Sequence, residues 1–272
     1  MIKRSLTAII GLPIVLLILI FGNRYIIDGV VALLALCGIY EYMKCVSHKF
    51  KPVSWVGYVL AIGIAFLHVI PMEYIVEYLI LLIISVVALL FAHVVFSDMK
   101  INAVDIAVSL FGIIYIVGFF TFVALLYGYE RDGVKLGKYY IAYLLLATWG
   151  SDIFAYLIGK KFGKHKFSQI SPKKSIEGCI AGAVGGIVLV VIATCIYNNF
   201  FDIHVNYGLI ILIAAIVTIL GQIGDFSASC IKRYCEVKDF SNLLPGHGGI
   251  IDRFDSVIFA APFAYYLLTL LI

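Results

Sequence analysis

Charge is what this sequence has least of. Only 13% of its 272 residues are Asp, Glu, Lys or Arg, against 63% hydrophobic. A soluble domain carries about 25% charged residues, so an ordinary water-soluble globule is excluded. Long polar stretches are also lacking. The two largest, near 160–175 and 225–253, are too short to enclose a core of their own. The six cysteines, Cys37, Cys45, Cys179, Cys195, Cys230 and Cys235, form no CxxC pair. They read as small hydrophobes rather than as a metal or disulfide framework. His68, His93 and His204 show no ligand spacing and read as packing or interface residues. No small-x-small cleavage site follows the apolar run after Lys3 and Arg4, so that run reads as a retained first helix.

What is present is apolar runs of membrane-spanning length. A bilayer core needs about 20 apolar residues per helix, and without water the backbone of such a run must be helical. The sequence predicts an all-α, polytopic integral membrane protein of about nine transmembrane helices. Their approximate ranges are 5–22, 25–44, 54–71, 74–96, 104–126, 139–159, 176–197, 205–224 and 254–272. Placing the N-terminus in the cytoplasm puts sixteen of the twenty basic residues inside. Arg24, Arg131, Lys135 and Lys138 stay outside, as the positive-inside bias requires. The expected organisation is one membrane domain over 1–272. N-terminal helices occupy 1–140, and a catalytic part occupies 141–272 with cytoplasmic loops at 160–175 and 225–253.

The charge that exists is concentrated. From Gly221 the chain reads GQIGDFSASCIKR, and it continues through Lys238 and Asp239 to PGHGGIIDRFD, ending at Asp255. Asp225 closes the eighth apolar run, and an ionisable residue at membrane depth is costly and usually functional. If that helix continues, Ser229, Lys232 and Arg233 share its face. Asp252 and Asp255 share a face if they begin the last helix. Two acidic helix ends suit a divalent cation, because Mg²⁺ takes hard oxygen ligands and bridges one or two carboxylates to substrate phosphates. The neighbouring Lys and Arg would bind those phosphates. Gly246, Gly248 and Gly249, around His247, allow close backbone approach to a phosphate.

A second cluster runs from Trp149 through Asp152 and Tyr156 to Lys164, then SPKKSIEG from Ser171 to Gly178. Ser171 or Ser175 could cap the helix that follows. Lys160 to Lys166 could anchor to anionic headgroups, and Lys173 and Lys174, beside a turn and Glu177, suit phosphate binding. Glu41 is either a cytoplasmic interface residue or a partner inside the bundle. Gly182, Gly185 and Gly186 predict close helix packing.

The run Ser229-x-Ile231-Lys232-Arg233-x₄-Lys238-Asp239, followed by LPGHGGIxDRFD from Leu244 to Asp255, resembles the signature of the phosphatidate cytidylyltransferases. Trp149 to Gly163 and Ser171 to Gly178 resemble that family's other recurrent segments. Residues 1–140 match it only in hydropathy. Ala228 stands where many members carry Glu, and Ser175-Ile176 where Thr-Trp is commoner.

The resemblance implies that CTP and phosphatidic acid give CDP-diacylglycerol and pyrophosphate. It also implies Mg²⁺ on Asp225 and Asp252, K⁺ as a second cation, a homodimer, and a multi-pass plasma-membrane enzyme whose site faces the cytoplasm. Catalytic roles would fall to Asp225, Lys232, Arg233, Lys238, Asp239, His247, Asp252, Arg253 and Asp255. Substrate binding would fall to Asp152, Tyr156, Ser171, Lys173, Lys174, Ser175, Glu177, Ser229, Gly246, Gly248 and Gly249. No nucleic-acid partner is expected.

Two other readings compete. One is a cation-coupled transporter with Asp152 and Asp225 as intramembrane ion sites. Against it, the charges gather at the cytoplasmic ends of the sixth, eighth and ninth runs. The other is a different CTP-dependent lipid enzyme such as a polyprenol kinase. A CDP-alcohol phosphotransferase is disfavoured because its DGxxAR-type run is absent.

Overall fold

Seven helices among the described residues are long and apolar enough to cross a membrane. The computed structural model describes residues 13, 15, 17–98, 100–168, 171, 174–201, 203–244, 246 and 248–272. The protein is nearly all α and is an integral membrane protein. In chain order the helices are α1 (Arg24–Val46), α2 (Ser54–Gly63), α3 (Ile75–Phe96), α4 (Ala103–Gly112), α5 (Phe119–Tyr127), α6 (Gly137–Phe162), α7 (Ile176–Phe200), α8 (Tyr207–Tyr234) and α9 (Ile251–Leu271). A π-helical segment, Ile113–Gly118, joins α4 and α5 into one span, Ala103–Tyr127.

Among the described residues the helices fall within most of the expected ranges, and four ranges need comment. The first run, 5–22, lies mostly outside the described residues, with 17–21 helical. The third is short, because α2 passes into a 3₁₀ stretch, Ile64–Val69, ahead of Pro71. The eighth does not stop at Gly224. Apolarity ends there, but α8 runs on to Tyr234, because Ala228 and Ser229 stay buried and keep the helix packed. The last helix correspondingly begins at Ile251 rather than 254.

The chain divides into two compact units: 1–128 with Cys235–Arg253, and Tyr129–Tyr234 with Phe254–Ile272. In the first, α1 packs on α2, the 3₁₀ stretch and α5. Asn102 and Asp105 form a capping box at the start of α4. Asp105 Oδ1 also accepts the Lys51 amide at 2.8 Å, and Ser109 Oγ accepts that of Val53 at 2.8 Å. The chain entering α2 is thereby tied to α4. Asp28, fully buried in α1, has Arg24 Nε at 3.8 Å and His68 Nδ1 at 3.3 Å. His68 is therefore not isolated, as the sequence suggests; its acid is forty residues away in the chain.

In the second unit, Glu130–Arg131 and Val134–Lys135 form a small exposed hairpin. Its turn is Asp132-Gly133, both at positive φ, the dipeptide such turns favour. The expected solvated stretch from Tyr129 to Lys138 contains this ribbon.

The seam between α6 and α7 is made of backbone. A Cβ on Gly178 would lie 2.9 Å from the Ala155 carbonyl oxygen, one on Gly182 2.7 Å from that of Ser151, and one on Gly186 2.6 Å from that of Ala147. Glycine at i, i+4 and i+8 lets two helices approach until main chain meets main chain. Of the glycines read from the sequence, Gly182 and Gly186 have this cause, whereas Gly185 lies against the Phe154 side chain. Replacing Gly182 with Leu forces the helices apart. It should cost about 1–3 kcal/mol, the usual penalty for overpacking, read as a lower melting midpoint in detergent. A Leu replacement at exposed Ile180 should leave the midpoint unchanged.

Candidate active site

Helix packing gathers most of the predicted polar residues of the second unit. α8 and α9 meet at Gly221 and Gly224. A Cβ on Gly224 would stand 2.6 Å from the Asp255 carbonyl oxygen and 2.5 Å from Phe259 Cβ. This contact brings Asp225, one residue on, to the side of Asp255. Asp255 is buried, with Oδ1 accepting the Ser256 amide at 2.8 Å. The charges that act on it most are those of Asp225, Asp152 and Lys232. Asp152, from α6, is fixed by the Ser256 hydroxyl, which donates to its Oδ2 at 3.1 Å. Lys232 and Ser229 are buried on α8 at the helical spacing from Asp225 that the sequence predicts. Asp255 and Lys232 are buried, whereas Asp152 and Asp225 are partly exposed; charge interactions of the buried members are weakly screened.

Asp225 carries an ion pair with Lys174, whose ammonium also lies 4.3 Å from the centre of the Phe226 ring. Phe226 in turn stacks on Phe167 at 4.6 Å. The segment before α7 is therefore held to α8 by charge and by aromatic contact. Ser175 caps α7, accepting the Gly178 amide at 3.2 Å, which decides between the two capping serines. Glu177 turns back onto the segment, accepting from the Lys164 and His165 amides and lying 2.6 Å from His165 Nδ1. In this structure it binds its own loop.

Tyr156 is 65% exposed, with Lys160 over its ring. It does not join the acidic group, although it shares a helix with Asp152. Ser171 is partly buried, and Arg233 is exposed at the end of α8. Lys173 and His247, both predicted site residues, lie outside the described residues.

The first unit holds the remainder of the motif. Between Cys235 and Ile250 the chain forms a loop closed by a bridge from the Leu244 amide to the Gly248 carbonyl at 2.9 Å. Gly246 and Gly248 have φ near +80°, a conformation open to glycine at little cost. A Cβ on Gly248 would also lie 2.8 Å from Asp252 Oδ2. That oxygen accepts the amides of Phe240 and Gly249, each at 2.9 Å, so Asp252 organises the loop. Lys238, Asp239, Gly246 and Arg253 are exposed.

One residue was not singled out from the sequence, and another was left between two readings. Gln222 donates through Nε2 to Ser151 Oγ at 3.0 Å and to the Cys179 carbonyl at 2.9 Å, linking α8 to α6 and α7. Its signal was available: an amide inside an apolar run, on the turn before Asp225. Glu41 accepts the Ile250 and Ile251 amides at 2.9 and 3.0 Å and the Ser241 hydroxyl at 2.6 Å. It is a partner inside the bundle, which resolves the two readings of that position.

Among the described residues no group of three or more His, Cys, Asp or Glu is arranged to hold a metal ion by itself. The arrangement offers a few carboxylates beside lysines, a donor set suited to a cation that shares its coordination with phosphate oxygens.

The family of the chain follows from comparison with known proteins. The model of the cytidylyltransferase family matches residues 2–271. The chain belongs to the cytidylyltransferase family. It is 35% identical over 267 residues to a phosphatidate cytidylyltransferase of Staphylococcus haemolyticus (strain JCSC1435), covering 97% of this chain and 98% of that protein. It is 35% identical over 271 residues to one of Staphylococcus aureus (strain COL), with the same coverage. A phosphatidate cytidylyltransferase of Bacillus subtilis (strain 168) is 40% identical over 162 residues, 57% of this chain and 59% of that protein. The match extends across the first 140 residues of this cytidylyltransferase, where the sequence itself offered only hydropathy.

Replacing Gln222 with Leu removes two interhelical hydrogen bonds and keeps the volume. The expected loss is about 1 kcal/mol, in the range measured for such bonds between membrane helices. It is read as a lower melting midpoint that Gln222→Asn, which keeps the amide donor, partly restores and Gln222→Glu, which cannot donate to the Cys179 carbonyl, does not.

Proposed function

We propose that this cytidylyltransferase transfers CMP from CTP to phosphatidic acid, giving CDP-diacylglycerol and pyrophosphate at the cytoplasmic face of a bacterial plasma membrane. One observation carries the reading: the packing of Gly224 on Asp255 and the Ser256–Asp152 bond bring Asp225, Asp255 and Asp152 together within one unit, with Lys232 buried on the same helix as Asp225, in a chain that matches the family model almost end to end. The transporter and kinase readings have no comparable support.

The chemistry asks little of a general base. The phosphate of phosphatidic acid is already an anionic oxygen nucleophile. Its oxygen forms a bond to the α-phosphorus of CTP, the α–β bridging P–O bond breaks, and pyrophosphate leaves with that electron pair. Such transfers depend on positioning and on neutralising charge. Lys174 stands ready to pass from Asp225 to a phosphate oxygen, since an ion pair about a quarter exposed exchanges partners readily. Lys232 and Arg233 continue the basic face along α8, and Arg253 adds charge on α9. The loop with Gly246, Gly248 and Gly249 offers backbone that a polyanion can approach.

Mg²⁺ is assigned by motif position to Asp225 and Asp252. When bound it would offset the negative charge of the triphosphate. K⁺ remains the proposed second cation. The homodimer, the cytoplasmic N-terminus and the count of nine spans are proposed from the sequence on the arguments given above.

The test uses the purified full-length protein in detergent with labelled CTP, phosphatidic acid and Mg²⁺. A lipid-linked CMP product is expected, dependent on both substrates and abolished by chelation. Asp225→Asn should lower turnover by about a hundredfold or more, the scale of losing one fixed electrostatic partner. Full turnover in that variant refutes the metal assignment. Absence of the lipid product, with cation flux into liposomes instead, refutes the reaction.

A further inference from the structure

We propose that Glu41, in the part of the chain that shows no recognisable motif, is a positioning residue for the signature loop and for Asp252. The inference rests on the reaction proposed above for its catalytic consequence, but its structural half stands independently.

Glu41 lies near the end of α1 and is 1% exposed. A carboxylate so deeply buried is costly unless its oxygens are satisfied. Among the described residues no lysine or arginine pairs with it. Its partners all come from the loop some two hundred residues away: the Ile250 amide and the Ser241 hydroxyl on Oε1, and the Ile251 amide on Oε2. Those amides open α9, where helix geometry leaves N–H groups without intrahelical acceptors and the macrodipole favours negative charge. Glu41 thus caps α9 from a different helix.

Its neighbour in this task is Asp252. The amide of Gly249 goes to Asp252 Oδ2, and the next two amides go to Glu41. Three consecutive N–H groups are shared between two carboxylates. Removing Glu41 takes the acceptors of two of these three amides and leaves only the third on Asp252. The fit is tight enough to fix a residue type: a Cβ at position 249 would stand 2.4 Å from Glu41 Oε2. The second glycine of the Gly248-Gly249 pair therefore answers to Glu41, whereas the first answers to positive φ and to Asp252. Ser241, held by Glu41, also accepts the Leu243 amide at 3.1 Å, so the hold reaches both ends of the loop.

The experiment compares wild type with Glu41→Gln, Glu41→Ala and Gly249→Ala, each full length in detergent. Hydrogen exchange and steady-state kinetics are measured on the same preparations. In Glu41→Ala the amides of 240–251 should exchange at least about tenfold faster, as expected when buried donors lose their acceptor. Exchange in α6, α7 and α8 should be unchanged. The kcat should fall about tenfold or more, with KM for CTP moving less than kcat. Glu41→Gln keeps one acceptor oxygen and should lie between the two. Gly249→Ala, which displaces the same contact from the other side, should reproduce Glu41→Ala; it keeps the idea testable if Glu41→Ala does not fold.

Unchanged exchange in 240–251, unchanged kcat, or a uniform rise in exchange through every helix would overturn the assignment. If wild type itself forms no CMP-lipid, the proposed reaction fails, and the exchange measurement alone still decides whether Glu41 holds the loop.

Discussion

A peptide N–H at the end of an apolar helix must find an acceptor, and in this molecule the acceptor is repeatedly a carboxylate. Where water is scarce, an unpaired amide costs more than an acid that has been given donors. Glu41 takes the amides that open α9, Asp252 those of Phe240 and Gly249, Asp105 those of Lys51 and Asn102, and Glu177 those of Lys164 and His165. A sequence short of charge thus spends several of its acids on the main chain. Asp152 and Asp225 gather elsewhere with Asp255, which among the described residues accepts only the amide next to it, and stand out chemically for that reason.

The division of labour explains what could be read in advance. Helices were legible because apolar runs of that length have one structural solution in lipid, and most expected ranges coincide with observed helices. Their polar ends were not. Hydropathy sees Asp225 as the end of a helix, whereas packing of Ala228 and Ser229 carries α8 to Tyr234. Hydropathy gives Ile64–Val69 no special mark, yet the backbone tightens there into 3₁₀ geometry. Neither change is recorded by the linear pattern of apolar residues.

The site was legible wherever chemistry is local. The i+4 and i+7 relation of Ser229 and Lys232 to Asp225 needed only a helix, and Ser175 needed only the turn it caps. Long-range partners were invisible. Nothing near Glu41 in sequence announces a loop two hundred residues away, and nothing near Asp28 announces His68. Glu177 and Tyr156 add contacts and exposure that the sequence does not record. They sit inside family-like segments, but one is bound to its own loop and the other is turned outward.

The glycine seam between α6 and α7 has a mechanical side. Side chains that interlock can change rotamer and absorb a sliding motion; carbonyl groups resting on Cα atoms have nothing to adjust. At Gly178, Gly182 and Gly186 the two helices meet in that way, and packed interiors transmit strain rather than dissipate it. The pair therefore behaves as a single stiff lever. Its two ends are the Ser175 cap of α7 and the aromatic contacts of Tyr139, Tyr143 and Tyr197, so a push on one end should reach the other.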